Sequence, residues 1–252
     1  GDDFARSIQQ TSDGGYIVTG YMNSNDGDVT DGNNRDISDF YHDYWIIKLD
    51  GSGNKVWDKT YGGSSSDRAS SIQETSDGGY VVAGYTWSND GDITDGNNGH
   101  ADYWIVKLDG SGNKVWDKTY GGSNYDEANS IQQTSDGGYI VSGYTYSEDG
   151  DISDGNNGDT DYWIVKLDGS GNKEWDKTYG GSYRDYAASV QQTSDGGFIV
   201  AGNTEADYDE YGYYGYTDYW ILKLDGSGTE VWEKSFGGSG SDQVNSIQQT
   251  TD

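Results

Sequence analysis

Ser71-Ile72-Gln73-Glu74-Thr75-Ser76-Asp77-Gly78-Gly79-Tyr80-Val81-Val82 places two short β-type runs on either side of a Ser-Asp-Gly-Gly break. Val, Ile, Tyr and Thr favour strands, and Asp-Gly between two such runs is a hairpin signal. Close copies of the opening phrase begin at Ser7, Ser130 and Ser189, with a shorter one at Ser246. The successive spacings are 64, 59, 59 and 57 residues. A second phrase, Asp-Tyr-Trp-Ile-x-Lys-Leu-Asp-Gly-Ser-Gly, begins at Asp43, Asp102 and Asp161, with a variant at Asp218. A third, Trp-(Asp/Glu)-Lys-(Thr/Ser)-(Tyr/Phe)-Gly-Gly-Ser, begins at Trp57, Trp116, Trp175 and Trp232. A fixed period of this length marks a repeat architecture in which each copy is one supersecondary unit. The copies span roughly residues 5–63, 64–122, 123–181 and 182–238, with a partial fifth at 239–252, and are read as one domain over 1–252.

In the second copy four strands are expected, near Ala69–Thr75, Gly79–Tyr85, Asp102–Asp109 and Asn113–Tyr120. They are parted by Gly-rich turns and one long acidic loop, which makes each copy a four-stranded antiparallel meander. In the third strand Tyr103 and Ile105 oppose Trp104, Val106 and Leu108, so both faces are apolar. A sheet covered on both faces needs neighbours on both sides, as sheets stacked around an axis provide. The fold class expected is therefore all-β: a β-propeller of four blades with four antiparallel strands each. A segment of a larger or open array of the same blades is the alternative. The first strand, with Ser71, Gln73 and Thr75 on one side, suits an innermost strand lining a narrow wet channel. The fifth phrase, Val244–Thr250, is one inner strand more than a four-bladed ring needs. An unpaired terminal strand offers open backbone donors and acceptors, which points to self-association through the termini.

Composition narrows the function classes. The 252 residues carry a formal charge of −29, which disfavours nucleic acid and anionic membranes. Hydrophobic residues are 31% and aromatics 14%, so the core is built from Trp and Tyr. With 40 Gly and no Pro, turns fall to Gly, Asn and Asp. There is no Cys, hence neither a disulfide nor a thiolate site. No apolar run approaches the roughly 18 residues of a membrane span. No signal-peptide pattern opens the sequence, which leaves open a mature product or a piece of something longer.

The three phrases together resemble the β-propeller repeat of bacterial and archaeal surface and secreted proteins, and the resemblance covers the whole chain. It implies a propeller in an extracellular or cell-surface setting and no common reaction.

The long loop carries the sharpest candidate site. It reads Asp26-Gly-Asp28-Val-Thr-Asp31 in the first repeat, Asp90-Gly-Asp92-Ile-Thr-Asp95 in the second and Asp149-Gly-Asp151-Ile-Ser-Asp154 in the third. Carboxylates at positions 1, 3 and 6 are hard oxygen donors suited to Ca²⁺, though neither the EF-hand spacing nor its bidentate Glu is present. A solvated acidic loop with Asx turns is the alternative. The fourth repeat replaces the box with a run containing Tyr208, Tyr211, Tyr213, Tyr214 and Tyr216. Tyr among Gly is an adaptable binding surface, and with the non-recurring Trp87 it forms the basis of a lectin-like, glycan-binding alternative. The other eight Trp recur in every copy and are assigned to packing.

No catalytic framework is visible. His42 and His100 do not recur. The Asp109-Gly-Ser-Gly phrase, loosely like an Asp-box, reads as a hairpin turn with Asp109 accepting backbone amides. Asp67, Asp126, Asp185 and Asp242 follow the Gly-Gly-Ser turns and are read as turn-bonding residues. The expectation is a non-enzymatic structural or adhesion module, calcium-stabilised and self-associating.

Overall fold

A computed structural model describes residues 1–30, 41–205 and 216–250. Asp31 and Tyr208, Tyr211, Tyr213 and Tyr214 lie outside the described residues. The protein is all-β, and its sheets are four-stranded antiparallel propeller blades. The first blade holds β1 (Asp3–Gln10), β2 (Tyr16–Met22), β3 (Asp43–Leu49) and β4 (Lys55–Tyr61). The second holds β5 (Asp67–Glu74), β6 (Tyr80–Thr86), β7 (Asp102–Leu108) and β8 (Lys114–Tyr120). The third holds β9 (Asp126–Gln133), β10 (Tyr139–Thr145), β11 (Asp161–Leu167) and β12 (Lys173–Tyr179). The fourth holds β13 (Asp185–Gln192), β14 (Phe198–Glu205), β15 (Thr217–Leu224) and β16 (Glu230–Phe236). Every sheet runs in chain order from inner to outer strand. The chain divides into two compact units, Gly1–Gly121 and Gly122–Asp252, each of two blades.

Local chemistry sets the turns. After each inner strand, Asp77 accepts the Thr75 hydroxyl at 2.5 Å and the Gly79 amide at 3.0 Å, while Gly78 takes φ 78°. Only glycine enters that region without steric cost. Lys107, its side chain 6% exposed, pairs with Asp77 at 3.0 Å and donates to the Leu108 carbonyl. The same ion pair recurs as Lys48–Asp13, Lys166–Asp136 and Lys223–Asp195. At the outer hairpin Asp109 accepts the amides of Ser111 and Asn113, each at 2.9 Å, as expected.

Packing between blades is the same in both units. In the first, Tyr44 donates to the Trp104 carbonyl at 3.0 Å with ring centroids 4.5 Å apart. In the second, Tyr162 meets Trp220 at 3.1 Å and 4.7 Å. Trp57 packs on Tyr80 and Trp175 on Phe198, edge to face. Gly84 stands opposite Trp104 in register, and a Cβ there would run into the Arg68 carbonyl and approach the Tyr44 hydroxyl to 2.7 Å. Gly202 holds the equivalent place opposite Trp220.

The inner strands are joined by side chains rather than by a backbone ladder. Gln9 accepts the Glu74 amide at 2.7 Å, and Glu74 in return accepts the Ser12 amide at 2.8 Å. In the second unit Gln132 accepts the Gln192 amide at 2.6 Å, and Gln192 accepts the Ser135 amide at 2.8 Å. Read from sequence, these polar residues line a wet channel; within each unit they form a reciprocal clamp between successive blades. The fifth phrase repeats it: Gln191 accepts the Gln249 amide at 2.7 Å, and Gln249 accepts the Ser194 amide at 2.9 Å. Val244–Thr250 therefore sits against β13 as the inner strand of another blade would.

Burial sorts the tryptophans. Trp104 and Trp163 are fully buried, whereas Trp87 is 44% exposed. Trp104→Ala should cost about 3–5 kcal/mol and Gly84→Ala about 1–3 kcal/mol through overpacking, while Trp87→Ala changes stability far less. Chemical denaturation of the three variants checks this order, and equal losses at Trp104 and Trp87 would contradict it.

Candidate functional site

The long loop of the second blade docks by its apolar and hydroxyl residues. Ile93 is buried. Thr94 donates its hydroxyl to Asp117 Oδ1 and its amide to Asp117 Oδ2, the latter at 2.9 Å. The same carboxylate accepts the Trp104 indole N–H at 3.1 Å and pairs with Lys114 at 2.9 Å. Asp176 repeats the knot with Ser153, Trp163 and Lys173, and Asp58 with Thr30, Trp45 and Lys55. Four donors on one buried carboxylate satisfy its lone pairs and compensate its desolvation. These aspartates did not stand out in the sequence, although the recurring Trp-Asp-Lys triplet is their signal.

The loop carboxylates themselves go to separate partners. Asp90 accepts the Ser64 amide at 2.7 Å and Asp92 the Gly62 amide at 3.1 Å, so both hold the Gly-Gly-Ser turn. Asp95 turns instead to Lys118 at 3.0 Å. In the third blade Asp149 takes the Ser123 amide at 2.7 Å, Asp151 lies 3.9 Å from Lys173, and Asp154 pairs with Lys177 at 2.8 Å. Asp26 and Asp28 lie in the corresponding loop of the first blade, both exposed. Among the described residues no group of three acidic or histidine side chains is gathered to hold a metal. In the second and third blades each carboxylate of the 1, 3, 6 box thus has one oxygen against an amide or a lysine.

Asp67, Asp126 and Asp185 begin the inner strands and are buried. Asp67 accepts the hydroxyls of Thr86 and Ser88 and the Gly63 amide. Asp126 accepts Ser147 and the Gly122 amide, and Asp185 the Gly181 amide. Desolvation pushes the Asp67 carboxyl up to about 7, and those of Asp126 and Asp185 to about 6, against the pull of these donors. A nearby carboxylate adds to the rise, Asp43 for Asp67 and Asp161 for Asp185. Asp242 makes the same contact, accepting the Gly238 amide at 3.0 Å.

Of the aromatic candidates, Trp87 and Tyr216 are exposed, at 44% and 58%. A different aromatic group gathers at the start of β9 and the end of β10. Asn124, Tyr125, Glu127, Tyr144, Tyr146 and Asp159 line a cleft of about 640 Å³. None of these residues was singled out by the sequence: Tyr144 recurs as Tyr21 and Tyr85, and the others differ from copy to copy. At the same positions the second blade has Ser66, Arg68, Tyr85 and Trp87 in place of Tyr125, Glu127, Tyr144 and Tyr146.

The titration of the buried aspartates has a sign. Between about pH 4 and 7 the folded chain holds protons that the unfolded chain has released, so stability falls as pH rises through 6 to 7. Thr75 and Lys107 hold Asp77 at about 2, and the stability it adds is lost as pH falls from 4 towards 2. The melting temperature should therefore be higher at pH 5 than at pH 8 and drop again below pH 4. Asp67→Asn, Asp126→Asn and Asp185→Asn combined should flatten the slope between pH 5 and 8, read by calorimetry. An unchanged slope would place the titration elsewhere.

No protein-family model matches the chain, and no curated protein matches it. Among solved structures it is similar to a protein of unknown function from Bacteroides caccae at 12% identity, over 93% of this chain and 82% of that one, with a TM-score of 0.34. It is similar to the Neurospora crassa Pan2 WD40 domain at 12% identity, over 92% and 66% of the two chains, with a TM-score of 0.46. It is also similar to Sqt1 from Chaetomium thermophilum at 12% identity, over 96% and 63%, with a TM-score of 0.41.

Proposed function

We propose that the chain is a non-enzymatic structural or adhesion module, working outside the cell or at its surface, that self-associates by exchanging inner strands. The observation that carries this reading is the seating of Val244–Thr250 against β13. That segment makes the clamp bonds of a blade's inner strand, with further amide bonds from Ile247 to Ser189 and from Val244 to Asn203. Yet it forms no ladder and is mostly exposed. β1 carries nearly the same sequence, and its outward residues Phe4 and Ile8 are 46% and 65% exposed. A seat built from Ser189, Gln191 and Asn203 accepts either strand, and strand addition draws its affinity from main-chain groups. The resemblance to surface and secreted propeller repeats supports the setting, and the charge of −29 supports solubility there.

Truncation after Gln243 tests the proposal. Emptying the seat on β13 should make the shortened chain associate through the β1 strand of a second copy, seen as a mass increase in light scattering. Ser189→Ala with Gln191→Ala in the truncated chain should return it to monomer. A truncated chain that keeps its sheet circular dichroism and remains monomeric at all concentrations would remove strand exchange as the mode of association.

A further inference from the structure

We propose that the cleft at the start of β9 and the end of β10 is a binding site for a small organic cation bearing an alkylated ammonium group. The inference goes beyond the structural role proposed above and does not depend on it.

Comparison of the two units points to this site. In the first unit Tyr21 lies among charges supplied by the chain itself: the guanidinium carbons of Arg6 and Arg68 stand 5.2 and 5.0 Å from its ring centroid. Tyr144 holds the place of Tyr21 in the second unit, while Asn129 and Tyr186 hold the places of Arg6 and Arg68. Glu127 stands where the first blade has Phe4. The second unit thus replaces two guanidiniums with an amide and a ring, and an apolar side chain with an acid. Aromatic rings within about 6 Å of a cation attract it through their quadrupole.

Ring geometry favours a compact cation over a flat ligand. Tyr125 and Tyr146 are 6.3 Å apart at 74°, Tyr144 and Tyr146 6.0 Å apart at 79°, and Tyr144 and Tyr186 4.8 Å apart at 84°. The planes turn steeply against one another, so the three lining rings, Tyr125, Tyr144 and Tyr146, make corner walls and not the extended platform on which a sugar ring stacks. The walls are braced: the Tyr146 and Tyr186 hydroxyls are 3.3 Å apart, and Asn124 donates to the Tyr146 carbonyl at 3.3 Å. Charge agrees in sign, with Glu127 and Asp159 on the lining and a chain charge of −29 around it. Arg184 opposes it, donating to Asp159 at 2.7 Å, while Glu127, hydrogen-bonded to the Tyr144 side chain, keeps a carboxylate on the lining beside the rings. A cleft of about 640 Å³ falls within the range of small-molecule sites.

Calorimetric titration of the full chain with choline, with its neutral carbon isostere 3,3-dimethylbutan-1-ol and with cellobiose tests the site. Choline should bind about tenfold more tightly than the isostere, the size of effect expected of a ring quadrupole on a cation. Tyr146→Ala and Tyr125→Ala should each weaken choline about tenfold, and Glu127→Gln several-fold, with melting curves recorded for every variant. Using two tyrosines keeps the test valid should one variant fail to fold. Equal binding of choline and the isostere, binding of cellobiose alone, no binding of choline, or choline affinity unmoved in folded tyrosine variants would each overturn the proposal.

Discussion

A single buried carboxylate on the outer strand organises each of the first three blades. Asp117 shows what it does: one side chain ties the core indole of Trp104, the hydroxyl and amide of Thr94 and the ammonium of Lys114. Strand, core and loop are thereby fixed at one point. The loop so anchored delivers Asp90 and Asp92 to the Gly62–Ser64 turn that leads into β5. Removing one partner of such a group leaves the rest buried without compensation, which costs more than a surface contact would. The fourth blade uses Glu233 to hold Trp220, at 2.9 Å, and there the group is exposed.

Two sets of residues with different duties follow from this plan. Those that recur, such as Asp77 with Lys107 or Gln132 with Gln192, build blades and join them. Those that vary gather where inner strands begin and second strands end. There the first unit sets Arg6 and Arg68 around Tyr21, and the second sets Glu127 and Tyr186 around the equivalent Tyr144. A scaffold held by its recurring side chains tolerates change at these ends, where sites are commonly placed on rigid supports.

The strands were legible because Gly-rich turns bracket them and both faces of the middle strands are apolar. In the second blade all four fall within two residues of expectation at either end. The Asp109 turn and the burial of Trp104 were equally plain. The acidic loop was harder to read, because spacing does not reveal which residue of a loop docks. Ile93 is buried and Thr94 docks on Asp117, which lies on the strand after next. The partners of the polar inner strand were not legible for a related reason, since they are some 60 residues away in the next copy. The cleft was invisible because Tyr125, Glu127 and Tyr146 break the repeat pattern, while Tyr144, shared with the first two copies, does not stand out.

The side-chain clamp between inner strands bears on how such a chain avoids folding wrongly. Five nearly identical phrases within one chain invite pairing of the wrong two, a characteristic failure of repeat proteins. A backbone ladder would reward any such encounter, since every strand offers the same amides and carbonyls. The clamp rewards only a Gln already held at the right height by its own finished sheet. Each blade is built from strands that neighbour one another in sequence, whereas the clamp joins strands some 60 residues apart, so the contacts within a blade are the more local ones. Discrimination among the five phrases thus falls to side chains that a completed sheet holds in place.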